Sequence, residues 1–137
     1  MQPMVNIALR AARQAGEMIV KAADNLESVE VSEKSKNDFV TEIDKRSEQI
    51  IIDSILKAYP DHHFLSEERG FDGNNSSDVQ WIIDPLDGTT NFVRGIPYVS
   101  VSIACTIKGK LEHAVVLEPF SHDEFTASRG FGAKLNG

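Results

Sequence analysis

The stretch WIIDPLDGTTNF, residues Trp81 to Phe92, decides the architecture and the chemistry of this chain. Its apolar run ends abruptly in two carboxylates, Asp84 and Asp87, which are three residues apart across a turn that Pro85 stiffens. Hard divalent cations take oxygen ligands and commonly bridge carboxylates to the oxygens of a substrate phosphate. The stretch therefore predicts a strand that delivers negative charge to a metal site at its end.

The same residues also have a simpler interpretation as a turn. Asp87-Gly88 between two apolar runs is a strong hairpin signal, and Pro with Asp and Gly is ordinary turn chemistry. The longer string favours the metal site, because the Thr-Thr-Asn that follows Gly88 supplies N-cap residue types for a helix. The free backbone N–H groups at such a helix start would lie beside the carboxylates, which predicts a phosphate site.

Three motifs, in this order and at this spacing, resemble those of the inositol monophosphatase family. They are NDFVTEID (Asn37 to Asp44), FLSEE (Phe64 to Glu68) and WIIDPLDGTTNF. The likeness continues to the end of the chain through FTASRGFGAKLNG and is strongest to the bacterial branch that includes the extragenic suppressor proteins. Family members are about twice as long, and their W-D-x-A-A-G motif is not in this sequence. We therefore expect residues 1–137 to be the N-terminal metal- and phosphate-binding half of a sugar-phosphatase domain.

The resemblance implies a set of ligands for two or three Mg²⁺ ions. Glu67, Asp84 and the carbonyl of Leu86 would coordinate the first ion. Asp84 and Asp87 would coordinate the second, together with the aspartate of the missing motif. Glu67 would contact a weaker third ion through waters. Glu67 and its neighbour Glu68 are also compatible with a solvated strand end.

The resemblance further implies the groups that act on substrate. Thr89 and Glu67 would orient the attacking water, and Asp44 would accept a hydrogen bond from the Thr89 hydroxyl. The N–H groups of Gly88 and Thr89, next to Asp87, would bind phosphate oxygens. Asp44 is also explained as an acidic residue in the first turn of a helix, where the helix dipole favours it.

The expected activity is Mg²⁺-dependent hydrolysis of a small phosphomonoester by a metal-activated water, with inositol 1-phosphate as the leading substrate and with sensitivity to lithium. Relatives that share these motifs suggest a nucleotide or sugar bisphosphate as an alternative substrate. A second alternative is a regulatory partner of the transcription antitermination machinery. A homodimer is common in the family.

Composition supports an acidic globular domain. The net charge is −7, with 41% hydrophobic and 26% charged residues, which argues against direct binding to nucleic acid or an anionic membrane. The single Cys105 lies in an alternating apolar run, so we expect a buried thiol and a reducing cytoplasm. The amphipathic N-terminus, interrupted by Arg10 and Arg13, predicts a docked first helix and no targeting segment.

Periodicity predicts an α+β fold with two long helices on an antiparallel sheet; the resemblance implies that this is the N-terminal part of a layered α-β-α-β-α sandwich. The helices cover about Pro3–Ala23 and Asp38–Tyr59, the second capped by Asp38, with Lys34 and Lys36 in a preceding loop and His62 and His63 in an exposed turn. Further predicted elements are strands in VEVSEK, HFLSE, QWIID, YVSVSIACTI, KLEHAVVLEP and DEFTASR, a short helix near Thr90–Arg94, a loop GFDGNNSSD and a turn at 108–110.

Overall fold

Two long helices, one short helix and seven strands are present in the part of the chain that the structure describes. The computed structural model describes residues 1–26, 33–66, 70–73 and 77–137. In chain order the elements are α1 (Pro3–Asn25), α2 (Glu33–Ala58), β1 (His63–Ser66), β2 (Gly70–Gly73), β3 (Val79–Asp87), α3 (Thr89–Val93), β4 (Ser100–Ile107), β5 (Lys110–Glu118), β6 (Asp123–Ser128) and β7 (Gly132–Leu135).

The strands form one sheet in the order β2-β1-β3-β4-β5-β6-β7. The predicted α+β class, with two long helices packed on the sheet, is confirmed. The antiparallel arrangement holds for every pairing of these strands except β1 with β3, which are parallel. The parallel pair arises because β2 runs back along the outer edge of β1, so the chain enters β3 in the direction of β1.

Helix α1 follows the predicted apolar stripe and begins at Pro3, where the missing N–H of proline costs no hydrogen bond because N–H groups in the first turn have no helical partner. Small residues dominate its buried side, so that the helix backbone lies close to the sheet: Ala8, Ala11, Ala12, Ala15, Gly16 and Ala22. An added Cβ at Gly16 would lie 3.0 Å from Leu117 Cδ2 and 3.1 Å from Pro119 Cβ. In the described part of the chain, no helix has the length and apolar character to cross a membrane.

Helix α2 begins earlier than predicted. It starts at Glu33, so Asp38 lies inside the helix and is not its cap, and Lys34 and Lys36 belong to the helix and not to a preceding loop. No glycine or proline interrupts residues 33–38, so the helix extends toward its N-terminus. Of the predicted VEVSEK strand, residues 29–32 lie outside the described residues, and Glu33 and Lys34 belong to α2, so the prediction is wrong for those two.

Two edge strands were not predicted. Residues 70–73 of the predicted GFDGNNSSD loop form β2, which pairs with β1, and Gly132–Leu135 form β7, which pairs with β6. Both strands are short and begin with glycine, a residue depleted in strands. The pairing of β2 with β1 and of β7 with β6 determines that these residues form strands. The sequences of the two segments give little indication of it.

An aromatic cluster closes the end of the core that lies opposite the Asp84 end of β3. Trp81 is fully buried, and its Nε1–H donates to His62 Nδ1 at 3.0 Å. His62 stacks on Tyr59 with ring centroids 4.6 Å apart. The prediction that both histidines are exposed is wrong, since His63 is buried and His62 is half-buried. His63 is the first residue of β1, and His62 lies just before it in contact with Trp81. These positions in the fold determine their burial.

The predicted core thiol is confirmed. Cys105 is fully buried on β4, and desolvation, with a smaller contribution from Glu112, raises the pKa of its thiol to about 12. The hairpin predicted at 108–110 is present as well: Lys108 and Gly109 both have positive φ, which suits the two-residue turn between β4 and β5.

Replacement of Gly16 by valine tests the close contact of α1 with β5. We expect Gly16→Val to lower the free energy of unfolding by about 1–3 kcal/mol, because the new side chain overpacks the contact with Leu117 and Pro119. The control is Gln14→Val, which places the same side chain on the exposed side of α1. Helix propensity alone would favour the Gly16 variant over this control, since valine is a better helix former than glycine and a poorer one than glutamine. Equal urea-denaturation midpoints for the two variants would contradict the close approach.

The cluster around His62 makes stability depend on pH. Burial lowers the pKa of His62 below its ordinary value of 6.5, so above that value the imidazole is neutral in both the folded and the unfolded states. As the pH falls through 6.5, the unfolded chain takes up a proton that the folded chain resists, and stability decreases. Urea denaturation at pH 7.5 and 5.5 should show a smaller loss in His62→Asn than in the parent chain. The exposed His122→Asn control should keep the parent dependence.

Candidate metal- and phosphate-binding site

Strand β3 contains a bulge at the predicted metal-binding end. Asp84 lies opposite Ser102 of β4, and Asp87 lies opposite Ser100, so three steps along β3 match two steps along β4. One extra residue is therefore inserted between the two aspartates.

The bulge brings the two carboxylates to the same face of the sheet. Residues three apart in a regular strand face opposite sides, but partners across an antiparallel ladder share a face. Because Ser100 and Ser102 are two apart on β4, Asp84 and Asp87 share one face. Ile83 is buried in the core, so Asp84 faces away from the helices; Asp84 is half-buried and Asp87 is exposed.

Helix α2 holds the bulge from the other side. The Ser47 hydroxyl donates to the carbonyl of Pro85 at 2.7 Å in a buried hydrogen bond. The next residue, Glu48, accepts a hydrogen bond from the Ser66 hydroxyl at the end of β1 at 2.5 Å. Both Ser47 and Glu48 are fully buried. One turn of α2 thus contacts the ends of the two parallel strands.

The turn after the bulge requires a glycine. Gly88 has φ +95° and precedes the first residue of α3, and an added Cβ would lie 3.0 Å from the carbonyl oxygen of Tyr98. The Asn91 side-chain amide donates to the same oxygen at 2.8 Å, and Phe92 buries one side of α3 in the core. These contacts fix the backbone of the Gly88-Thr89 segment beside Asp87.

The remaining predicted residues lie around this turn or outside the described part. Thr89 is exposed at the start of α3, and Asp44 is half-buried on α2, which contacts α3. Leu86 is buried within the bulge. Glu67 follows Ser66 in the sequence and lies outside the described residues. Residues 84–89, which are consecutive in the sequence, form the end of β3, the Gly88 turn and the first residue of α3.

Sequence reasoning missed Ser47, Glu48 and Ser66. A signal for Ser47 was available, because it falls four residues after Ile43 and four before Ile51, in the middle of the apolar stripe of α2. A polar residue at a core position needs a hydrogen-bond partner. The identity of that partner, a carbonyl in β3, depends on tertiary structure.

The donor set suits a hard divalent cation. Two carboxylates and nearby backbone carbonyls are oxygen ligands, and Mg²⁺ in phosphate-handling sites is commonly held by one or two carboxylates plus the substrate phosphate. Within residues 1–26, 33–66, 70–73 and 77–137 there is no cluster of three or more His, Cys, Asp or Glu side chains arranged to hold a metal. Asp84 and Asp87 are therefore the carboxylates that the described segment 84–89 offers to a cation.

Comparison with known proteins shows similarity along the whole chain. A profile of the Inositol monophosphatase family matches residues 1–137. The chain is 56% identical over 139 residues to the Nus factor SuhB of Pseudomonas aeruginosa, covering all of this chain and 51% of that protein. It thus spans about half the length of the curated relatives it matches.

Solved structures share the fold. The extragenic suppressor protein suhB from Bartonella henselae superposes with a TM-score of 0.87 at 36% identity, over 98% of this chain and 52% of that one. A crystal structure of SaIMPase-II with bound inositol monophosphate matches with a TM-score of 0.75 at 29% identity, over 99% of this chain and 47% of that one. The same protein has also been solved with bound 2'AMP. Together with the match over its full length, these likenesses show that the chain belongs to the inositol monophosphatase family.

Proposed function

We propose that this chain supplies the metal and phosphate site of a Mg²⁺-dependent phosphomonoesterase. The observation that carries the proposal is the bulge in β3, which puts Asp84 and Asp87 on one face of the sheet next to the Gly88-Thr89 turn. Two carboxylates on one face at the end of a strand are oxygen ligands of the kind that hold Mg²⁺ beside a substrate phosphate. Family membership supports the same chemistry.

In this proposal each residue has a defined role. Asp84, the carbonyl of Leu86 and Asp87 hold Mg²⁺, together with Glu67. The backbone N–H groups of Gly88 and Thr89 bind phosphate oxygens beside Asp87. Thr89 and Glu67 orient the attacking water, and Asp44 accepts a hydrogen bond from the Thr89 hydroxyl and so fixes its direction. Bound Mg²⁺, in two or three sites, offsets the charge of the phosphoryl group and favours ionisation of the water.

The proposed substrate class is small phosphomonoesters, with inositol 1-phosphate first. Binding of both inositol monophosphate and 2'AMP by SaIMPase-II supports a phosphate site that accepts more than one alcohol. A nucleotide or sugar bisphosphate is the alternative substrate. Because the chain spans about half of its relatives, the proposal covers the metal and phosphate end of the reaction, and the activity itself is proposed for the longer protein.

A second proposal is a role in transcription complexes. The name Nus factor, carried by several relatives at 53–56% identity, supports it. If this role depends on protein binding and not on the metal site, purified RNA polymerase with Nus proteins should bind the labelled parent chain and its Asp84→Asn variant equally well. Absence of binding in an equilibrium measurement would remove this proposal.

Phosphate release tests the phosphatase proposal. A chimera that joins residues 1–137 to the second half of the Pseudomonas aeruginosa relative should hydrolyse inositol 1-phosphate only with Mg²⁺. We expect Asp84→Asn to lower kcat/KM by about 100-fold or more, because Asn is nearly isosteric but does not carry the charge that balances the cations. Inhibition by lithium is expected in the same assay.

The matched control is Asp78→Asn, the same chemical change just before the opposite end of β3. It should leave kcat/KM at the parent value. Hydrolysis without Mg²⁺, or equal effects of the two substitutions, would contradict the metal assignment. 2'AMP and a sugar bisphosphate, assayed in parallel, would rank the alternative substrates.

A further inference from the structure

We propose that Ser47 and Glu48 are positioning residues of the metal site: Ser47 holds the bulge after Asp84, and Glu48 holds the end of β1. The inference rests on the proposed function, because the candidate metal ligands lie at the ends of the two strands that Ser47 and Glu48 bind. Neither residue is itself assigned to a metal or to substrate.

The burial of these two residues is unusual for a helix interior. Ser47 and Glu48 are consecutive and both 0% exposed. Burial of a hydroxyl and a carboxyl away from water is unfavourable unless each has hydrogen-bond partners. Apolar side chains would fill the same space without that requirement, as Ile43 and Ile51 do along the same stripe. The polar character of Ser47 and Glu48 is therefore explained by their hydrogen bonds to Pro85 and Ser66.

Ser47 binds the part of β3 that the ladder cannot secure. A serine in a helix commonly donates to the carbonyl four residues back, but this hydroxyl donates to Pro85 at 2.7 Å. Pro85 lies inside the bulge, between the residues paired with Ser102 and Ser100, and has no N–H of its own to donate to β4. The Ser47 hydrogen bond thus secures the residue between Asp84 and Leu86 from the helix side.

Glu48 does the same for the neighbouring strand. It accepts the Ser66 hydroxyl hydrogen at 2.5 Å, and Ser66 is the last residue of β1, paired in parallel with Ile83. Two adjacent residues on one rigid helix therefore bind the ends of β1 and β3. The rise per residue of an α-helix is fixed, so Ser47 and Glu48 keep a constant separation along α2. Their hydrogen bonds therefore constrain the distance between the ends of β1 and β3. The chain leaves β3 through Asp84 and leaves β1 toward Glu67.

Terbium binding tests the proposal without an activity assay. Tb³⁺ is a hard oxygen-seeking cation, and Trp81, the single tryptophan, lies on the strand that carries Asp84 and can sensitise its luminescence. We expect Ser47→Ala and Glu48→Met to weaken Tb³⁺ binding by roughly 10-fold, the usual effect of removing a residue that orients a ligand. Glu48→Gln keeps an acceptor for Ser66 and should bind close to the parent level.

A core variant separates positioning from loss of stability. Ile55→Val removes a methyl group from the same helix, two turns from Ser47, and should leave Tb³⁺ binding unchanged. If Ser47→Ala binds Tb³⁺ as well as Ile55→Val does, the positioning role is overturned. If Ser47→Ala does not fold, Ser66→Ala removes the Glu48 hydrogen bond alone and carries the same test.

Amide hydrogen exchange distinguishes failure of this inference from failure of the proposed function. Ser47→Ala should speed exchange of the amides of Asp84 and of residues 86–88 by roughly 10-fold and leave residues 79–83 unchanged, because one buried hydrogen bond to the bulge is lost. Parent chain that does not bind Tb³⁺, or Asp84→Asn that binds normally, overturns the proposed function. Exchange that rises uniformly along β3 overturns the positioning role, whatever the metal result.

Discussion

The hydrogen bond from Ser47 to the Pro85 carbonyl is the contact on which the arrangement of the site depends. A bulge gives up ladder bonds, and a proline within it has no donor, so this part of β3 is poorly secured by β4. The helix supplies the missing contact. Since the bulge determines that Asp84 and Asp87 share a face, a single buried hydroxyl links the packing of α2 to the orientation of both carboxylates.

Electrostatics explains why such support is needed. The protein carries a net charge of −7, so the proposed phosphate binding requires a local positive centre, which a cation held by the two carboxylates would supply. A flexible strand end would leave the two carboxylates without a fixed position relative to each other. A strand fixed by α2 and by the Gly88 turn keeps them in place, so less of the binding free energy of the metal is lost to ordering the site.

Much of this structure follows from local sequence, and the exceptions have physical causes. The alternating apolar run of β4 and the small-residue stripe of α1 predict their elements because one face of each is buried. Strand β2 and the parallel pairing of β1 with β3 were missed, because a four-residue edge strand is specified by its neighbour. The motif identified Asp84 and Asp87, but not the bulge that aligns them or the Ser47 contact, since both depend on partners distant in sequence.

The central claim is that the end of β3, held by α2, is a cation site that the chain builds from Asp84 and Asp87. Amide NMR spectra recorded during a Mg²⁺ titration test it most directly. The account predicts saturable shifts confined to the amides of Asp84, of residues 86–89 and of Ser66, and their loss in Asp84→Asn. Shifts spread over exposed acidic residues such as Glu17 and Asp53, or none near Asp84, would contradict it.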